Sequence, residues 1–310
     1  MTTTAITDQG SATGARAGAT TGNAPPARRL RRGPGTGGGP AGERTPRWQI
    51  YLPLGLYLFF TLVPFYWMLL FALRPAGSTS LVPWPATAAH FDKVWNDLGF
   101  AVFFRNSLLV GVASLVMTTA VALAGGYALA RFRFRGRNGF MLALLCSQFI
   151  PGALMLVPLF EIFRELALVN SLWSVVIAET VFQLPLSLIL ISGFIRNVPA
   201  ELEEAAWVDG CGRFRAFCAV VLPLLRPGLI AVGSFAFVHS WNHFLFALMF
   251  LSSQEKYTIP VGLNYTIGAE SVDLGALAAG GVVAAVPVVI VFAFIQKWLI
   301  AGFSAGAVKG

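Results

Sequence analysis

Six stretches of the chain are apolar over the length needed to cross a bilayer: about Ile50 to Leu73, Asn106 to Ala130, Phe140 to Phe163, Leu172 to Ile195, Gly228 to Leu251 and Gly275 to Ile300. A hydrocarbon core about 30 Å thick takes roughly 20 apolar residues in helical form. Lipid offers the backbone no hydrogen-bond partner, so each stretch must be a helix. The apolar share of 56 % and the mean hydropathy of +0.70 lie in these long runs rather than in amphipathic stripes, which excludes a soluble domain. An all-α integral membrane protein of six transmembrane helices is expected. Pro64, Pro151, Pro158, Pro185 and Pro287 fall inside the runs and should kink helices that pack against others.

The net charge of +8 raises the question of nucleic acid, but no nucleic-acid motif accompanies it and none is expected as a partner. The basic residues are better explained by orientation. With both termini in the cytoplasm, 17 of the 22 lysines and arginines fall on the inner side, and Arg74, Lys93, Arg105, Arg164 and Lys256 on the outer side. Residues 1–47 lack an apolar run and carry Arg28, Arg29, Arg31 and Arg32. They read as a disordered basic tail that can meet anionic lipid, followed by a six-span transmembrane domain over 48–310. Cys146, Cys211 and Cys218 form no CxxC pair, so neither a disulfide nor a cysteine metal site is expected.

Between the fourth and fifth runs lies a polar insert, residues 196–227, on the cytoplasmic side. Pro199 suits a first helical turn, Glu201, Glu203 and Glu204 complement the positive end of the helix dipole, and Gly210 can take the left-handed conformation that ends it. A helix from about Pro199 to Asp209 is predicted, exposing Ala205 and Ala206 beside Leu202 and Glu204. A second short helix should follow, with Phe214, Phe217, Cys218 and Val221 as its apolar face and Pro223 as its stop. Small side chains let another protein approach the backbone closely, as a docking knob requires.

Glu204-Ala205-Ala206, Asp209-Gly210, Leu222-Pro223 and Pro227 resemble the EAA loop of the membrane subunits of binding-protein-dependent ABC importers, in particular the carbohydrate-uptake branch that includes the maltose permeases. The resemblance covers about Ile50 to Gly310. It implies the type I ABC importer permease fold in the cytoplasmic membrane, with Glu204, Ala205, Ala206, Asp209 and Gly210 coupling the spans to an ATPase. It also implies partners: a second, homologous permease, two ABC ATPase subunits that use ATP and Mg, and an extracytoplasmic sugar-binding protein. The long outer loops, Arg74 to Arg105 and Ser252 to Leu274, occupy the places that receive that protein. Ala301 to Gly310 looks like the short tail that enters the ATPase interface in maltose-type permeases. The chain has no GxxxxGK[ST] sequence, so it is expected to bind no cofactor of its own and to act as a transport subunit rather than an enzyme.

Polar residues inside the runs mark a candidate pathway: Gln148, Glu179, Gln183, His239, Asn242 and His243. Trp241-Asn242-His243-Phe244-Leu245 resembles the Trp-Asn-acid-Phe-Leu element of sugar permeases, with His243 in the acidic place. Two other classes of function are open to these residues. A secondary transporter or channel without ATP would relay protons through Glu179, and a membrane metallohydrolase would use the i, i+4 pair His239 and His243. A lone carboxylate makes a thin relay, and the pair lacks the glutamate of HExxH and a third ligand nearby, so no metal is expected. Which sugar is carried is not written in the sequence.

Overall fold

The computed structural model describes residues 47–265 and 272–307. The basic tail thus lies outside the described residues except for Arg47, as do residues 266–271 of the second long loop and the last three residues. The described helices are α1 Arg47–Leu73, α2 Ala89–Asp92, α3 Phe100–Arg131, α4 Arg137–Ser147, α5 Leu156–Glu165, α6 Leu172–Arg196, α7 Glu201–Val208, α8 Arg213–Ala216, α9 Leu222–Leu224, α10 Arg226–Asn242, α11 Leu245–Phe250, α12 Ile259–Tyr265 and α13 Leu274–Ala307. Residues 55–310 form one compact unit, within which the packing below lies.

Among the described residues four helices are long and apolar enough to cross a membrane: Trp48–Leu73, Phe100–Arg131, Leu172–Arg196 and Leu274–Lys297. Two bent pairs bring the number to at most six: Arg137–Ser147 with Gly152–Glu165, bent by 95°, and Arg213–Leu224 with Arg226–Asn242, bent by 74°. The predicted third span is therefore not one helix. Pro151 cannot donate to Ser147 and its ring crowds that turn, so α4 stops, a 3-10 turn over Gly152–Met155 follows, and α5 leaves in a new direction. Pro158 sits in the first turn of α5, where a missing N–H costs nothing. Pro185 and Pro287 stay inside continuous helices.

The predicted fifth span also divides. Backbone at His243 is extended, with φ −77° and ψ 126°, separating α10 from α11 without a proline or glycine. The sixth runs on through Ala307, so the stretch read as a tail is helical as far as it is described. The second long loop is not simply surface either, because Ile259, Val261 and Gly262 of α12 are buried.

The central packing is α3 against α6, with α10 laid across both. Gly126 permits it: a Cβ there would lie 2.7 Å from Ile191 Cγ2 and 3.2 Å from the Ser192 backbone nitrogen. Close approach of helix backbones at small residues is the usual way membrane helices gain packing energy. At the α7 end of this sandwich Ala122, Ile191, Ile195, Val198, Val221 and Leu225 form one buried cluster.

Candidate functional site

The insert after α6 is a compact hairpin. Its first helix, α7, carries Glu201, Glu203 and Glu204 in its first turn. It ends in a Schellman cap: Gly210 has φ +83°, Cys211 N donates to Ala206 O at 2.9 Å, and Gly210 N donates to Trp207 O at 3.0 Å. Helix bounds thus fall within the predicted Pro199 to Asp209. Of the residues of α7 only Glu203 is buried, and Ala206 is half-buried. Leu202, Glu204, Ala205, Trp207 and Val208 are exposed, Val208 to 88 %.

The second helix differs from expectation in phase and in its end. Phe214, predicted to face inward, is 80 % exposed, while Ala216, Val221 and Leu225 are buried. The reason is a π-helical stretch over Phe217–Val221, whose wider turn advances the buried face by five residues instead of four. Pro223 does not stop the helix; it sits in the first turn of α9, and the chain turns at Leu225.

Glu203 fixes the hairpin to the bundle. Arg131, the last residue of α3, brings Nη2 to 2.5 Å and Nε to 2.6 Å from Glu203 Oε1, and donates to Val198 O at 3.0 Å. Tyr127 Oη donates to Glu203 Oε2 at 2.8 Å, and its ring meets Phe217 edge-on at 4.9 Å. Side-chain exposures of 16 % for Arg131 and 4 % for Glu203 make this a buried ion pair, supported by three hydrogen bonds. Sequence reasoning assigned Glu203 only to the helix dipole and Arg131 only to membrane orientation. Spacing along one chain could not have joined residues 72 apart. The hairpin is thereby anchored to the end of α3 and to the turn that follows α6.

A second polar group lies deep in the bundle. Glu179, fully buried on α6, places Oε2 3.0 Å from His239 Nδ1 and Oε1 2.6 Å from His243 Nδ1. The first contact is a hydrogen bond; the second is close enough for an ion pair but is not aligned as a hydrogen bond. Gln183 Nε2 donates to Glu179 Oε2 at 3.4 Å. His239 and His243 both reach this one carboxylate, so Glu179 is not the solitary group that the sequence suggested. Gln148 joins His239 and His243 around a cavity of about 480 Å³, whereas Glu179 and Gln183 lie behind its wall. Asn242 does not join them: it is exposed, and its amide is spent on Val238 O at 2.8 Å. Among the described residues no group of three or more His, Cys, Asp and Glu is set to hold a metal ion.

The first long loop is tied to the start of α13 by Lys93 and Asp273, 2.7 Å apart. The Lys93 ammonium, with the Ala276 N–H, holds the Asp273 carboxyl below the usual carboxylate range.

The family described as "Binding-protein-dependent transport system inner membrane component" matches residues 119–304. The diacetylchitobiose uptake system permease protein DasC of Streptomyces coelicolor is 37 % identical over 259 residues, 82 % of this chain and 94 % of that protein. The arabinooligosaccharides transport system permease protein AraQ of Halalkalibacterium halodurans is 32 % identical over 271 residues, 85 % of this chain and 96 % of that protein. Among solved structures, a chain of a bacterial ABC transporter involved in the import of the acidic polysaccharide alginate superposes with a TM-score of 0.70 at 23 % identity, covering 82 % of this chain and 97 % of its own. At that identity the likeness speaks for the fold.

Proposed function

The chain belongs to the inner membrane components of binding-protein-dependent transport systems, and from that premise we propose that α7 to α9 is its ATPase-coupling loop and that its cargo is an oligosaccharide. The observation that carries the first part is the division of labour on α7. One side is pinned through Glu203, and the other presents Leu202, Glu204, Ala205 and Val208 to whatever docks there. Asp209 and Gly210 complete the knob by ending the helix sharply. In this reading α4 with α5 makes the third span and α10 with α11 the fifth, giving six with the four long helices, and the hairpin and both termini lie in the cytoplasm. Two ATPase subunits supply ATP hydrolysis with Mg, one gripping this hairpin and the other that of a second, homologous permease. An extracytoplasmic binding protein delivers the sugar to the opposite face. Motion of the ATPase groove pulls α7, and its anchor passes the displacement to α3, α6 and α10. The relatives named for diacetylchitobiose and arabinooligosaccharide uptake favour an oligosaccharide. Gln148, His239 and His243 are then pathway-lining groups, backed by Glu179 and Gln183.

Glu204→Lys tests the coupling. Because Glu204 is exposed, the variant should insert and fold normally, yet lose the co-purifying ATPase and at least ten-fold of ATP-driven uptake. Wild-type uptake with the ATPase retained would remove the hairpin from the coupling path.

A further inference from the structure

The geometry points to a hydroxyl-accepting subsite in the 480 Å³ cavity, formed by the Nε2 atoms of His239 and His243, whose Nδ1 atoms are both set against the carboxylate of buried Glu179. This inference rests on the reading of the chain as a sugar permease and specifies how such a cargo is held. Each oxygen of the Glu179 carboxylate faces one imidazole Nδ1, and Gln183 adds an amide donor to Oε2. Against an ionised carboxylate, hydrogen on Nδ1 keeps each ring nitrogen from setting its lone pair against an oxygen lone pair, at 3.0 Å for His239 and 2.6 Å for His243; in that tautomer each Nε2 is an acceptor. Neither Nε2 has a hydrogen-bond partner among the described residues, and both rings line the cavity while Glu179 is sealed from it. The rings are stacked, 18° from parallel with centroids 5.3 Å apart, so both belong to one patch of the cavity wall.

A cavity of this size suits a small ligand, and its wall includes Phe182 and Phe246, packed 5.0 Å apart, as an apolar surface beside the acceptors. Two acceptors next to an aromatic wall match a neutral sugar ring, which offers adjacent hydroxyl donors along its edge and C–H groups on its face. A cation would lack the carboxylate, which is already spent on the rings. An anion would meet lone pairs.

Nitrogen-15 NMR of histidine-labelled full-length chain in lipid nanodiscs reads the arrangement directly. The sequence holds three histidines, and His90→Gln leaves only the pair. Both rings should show hydrogen on Nδ1 and none on Nε2, the reverse of the usual tautomer. Diacetylchitobiose at tens of millimolar should shift both Nε2 resonances, and its permethylated form, which has the same rings without hydroxyl donors, should not. In Glu179→Gln the amide offers one acceptor and one donor, so one ring should move its proton to Nε2. A proton on either Nε2 in the unsubstituted cluster, no response to the free sugar, or an equal response to the permethylated sugar would each overturn the subsite. The wild-type spectra decide the matter even where Glu179→Gln fails to fold. Because the readout needs no ATPase, a failure of the coupling proposal would leave it standing.

Discussion

Arg131→Met should be strongly damaging, lowering the stability of the folded permease by about 3–5 kcal/mol. The substitution leaves the Glu203 carboxylate 4 % exposed, with Tyr127 as its remaining side-chain donor, and frees Val198 O as well. Glu203→Met should cost a similar amount, because it leaves the guanidinium half in the bundle without its anion. The double variant should be far less damaged than the sum of the two. Replacing a buried ion pair by apolar residues of like volume is often near neutral, whereas removing one partner strands the other. Thermal unfolding in mild detergent measures all three. Additive losses would mean that the two residues do not act on each other. Uptake should separate from stability in the double variant: an apolar contact can restore packing, but it does not hold α7 in one orientation against a pulling partner.

Val208→Asp combined with Phe214→Asp should have the opposite profile. These are the most exposed large apolar side chains of the hairpin, at 88 % and 80 %, so charging them costs the isolated permease almost nothing. Exposed apolar groups on a polar hairpin make sense as the buried centre of an interface, where losing an anchor side chain costs about 2 kcal/mol or more. Retention of the ATPase during purification should fall by about thirty-fold or more, the equivalent of that energy, with the unfolding midpoint unchanged. A shifted midpoint with full ATPase retention would assign the pair to folding instead of docking.

The class of fold was legible because lipid leaves a hydrophobic run of twenty residues no choice but a helix. Helix α7 was legible for a different reason: Glu201, Glu203 and Glu204 at one end and Gly210 at the other are local signals with local causes. What failed were readings in which a distant contact decides the local conformation. Nothing near His243 announces a break, and the chain unwinds there where both histidines meet a carboxylate 60 residues and more upstream. Phe214 and Ala216 exchanged faces because a π turn shifts the period that an ideal helix would keep. A proline inside an apolar run predicts a kink, yet at Pro151, with Gly152 beside it, the result is a 95° turn. Arg131 and Glu203 each had an adequate local explanation, which hid the contact between them.

The central claim is that this hairpin is held by an ATPase, and the most direct measurement is capture at the point of contact. A photo-crosslinking amino acid placed at Ala205, exposed on α7, is illuminated in intact cells carrying the whole importer, with Ser80 in the first long loop as the control position. A covalent product between position 205 and a subunit carrying the GxxxxGK[ST] sequence, absent from position 80, is the result the proposal requires. Capture of that subunit from position 80 but not from 205, or capture of only lipid at 205, would contradict it.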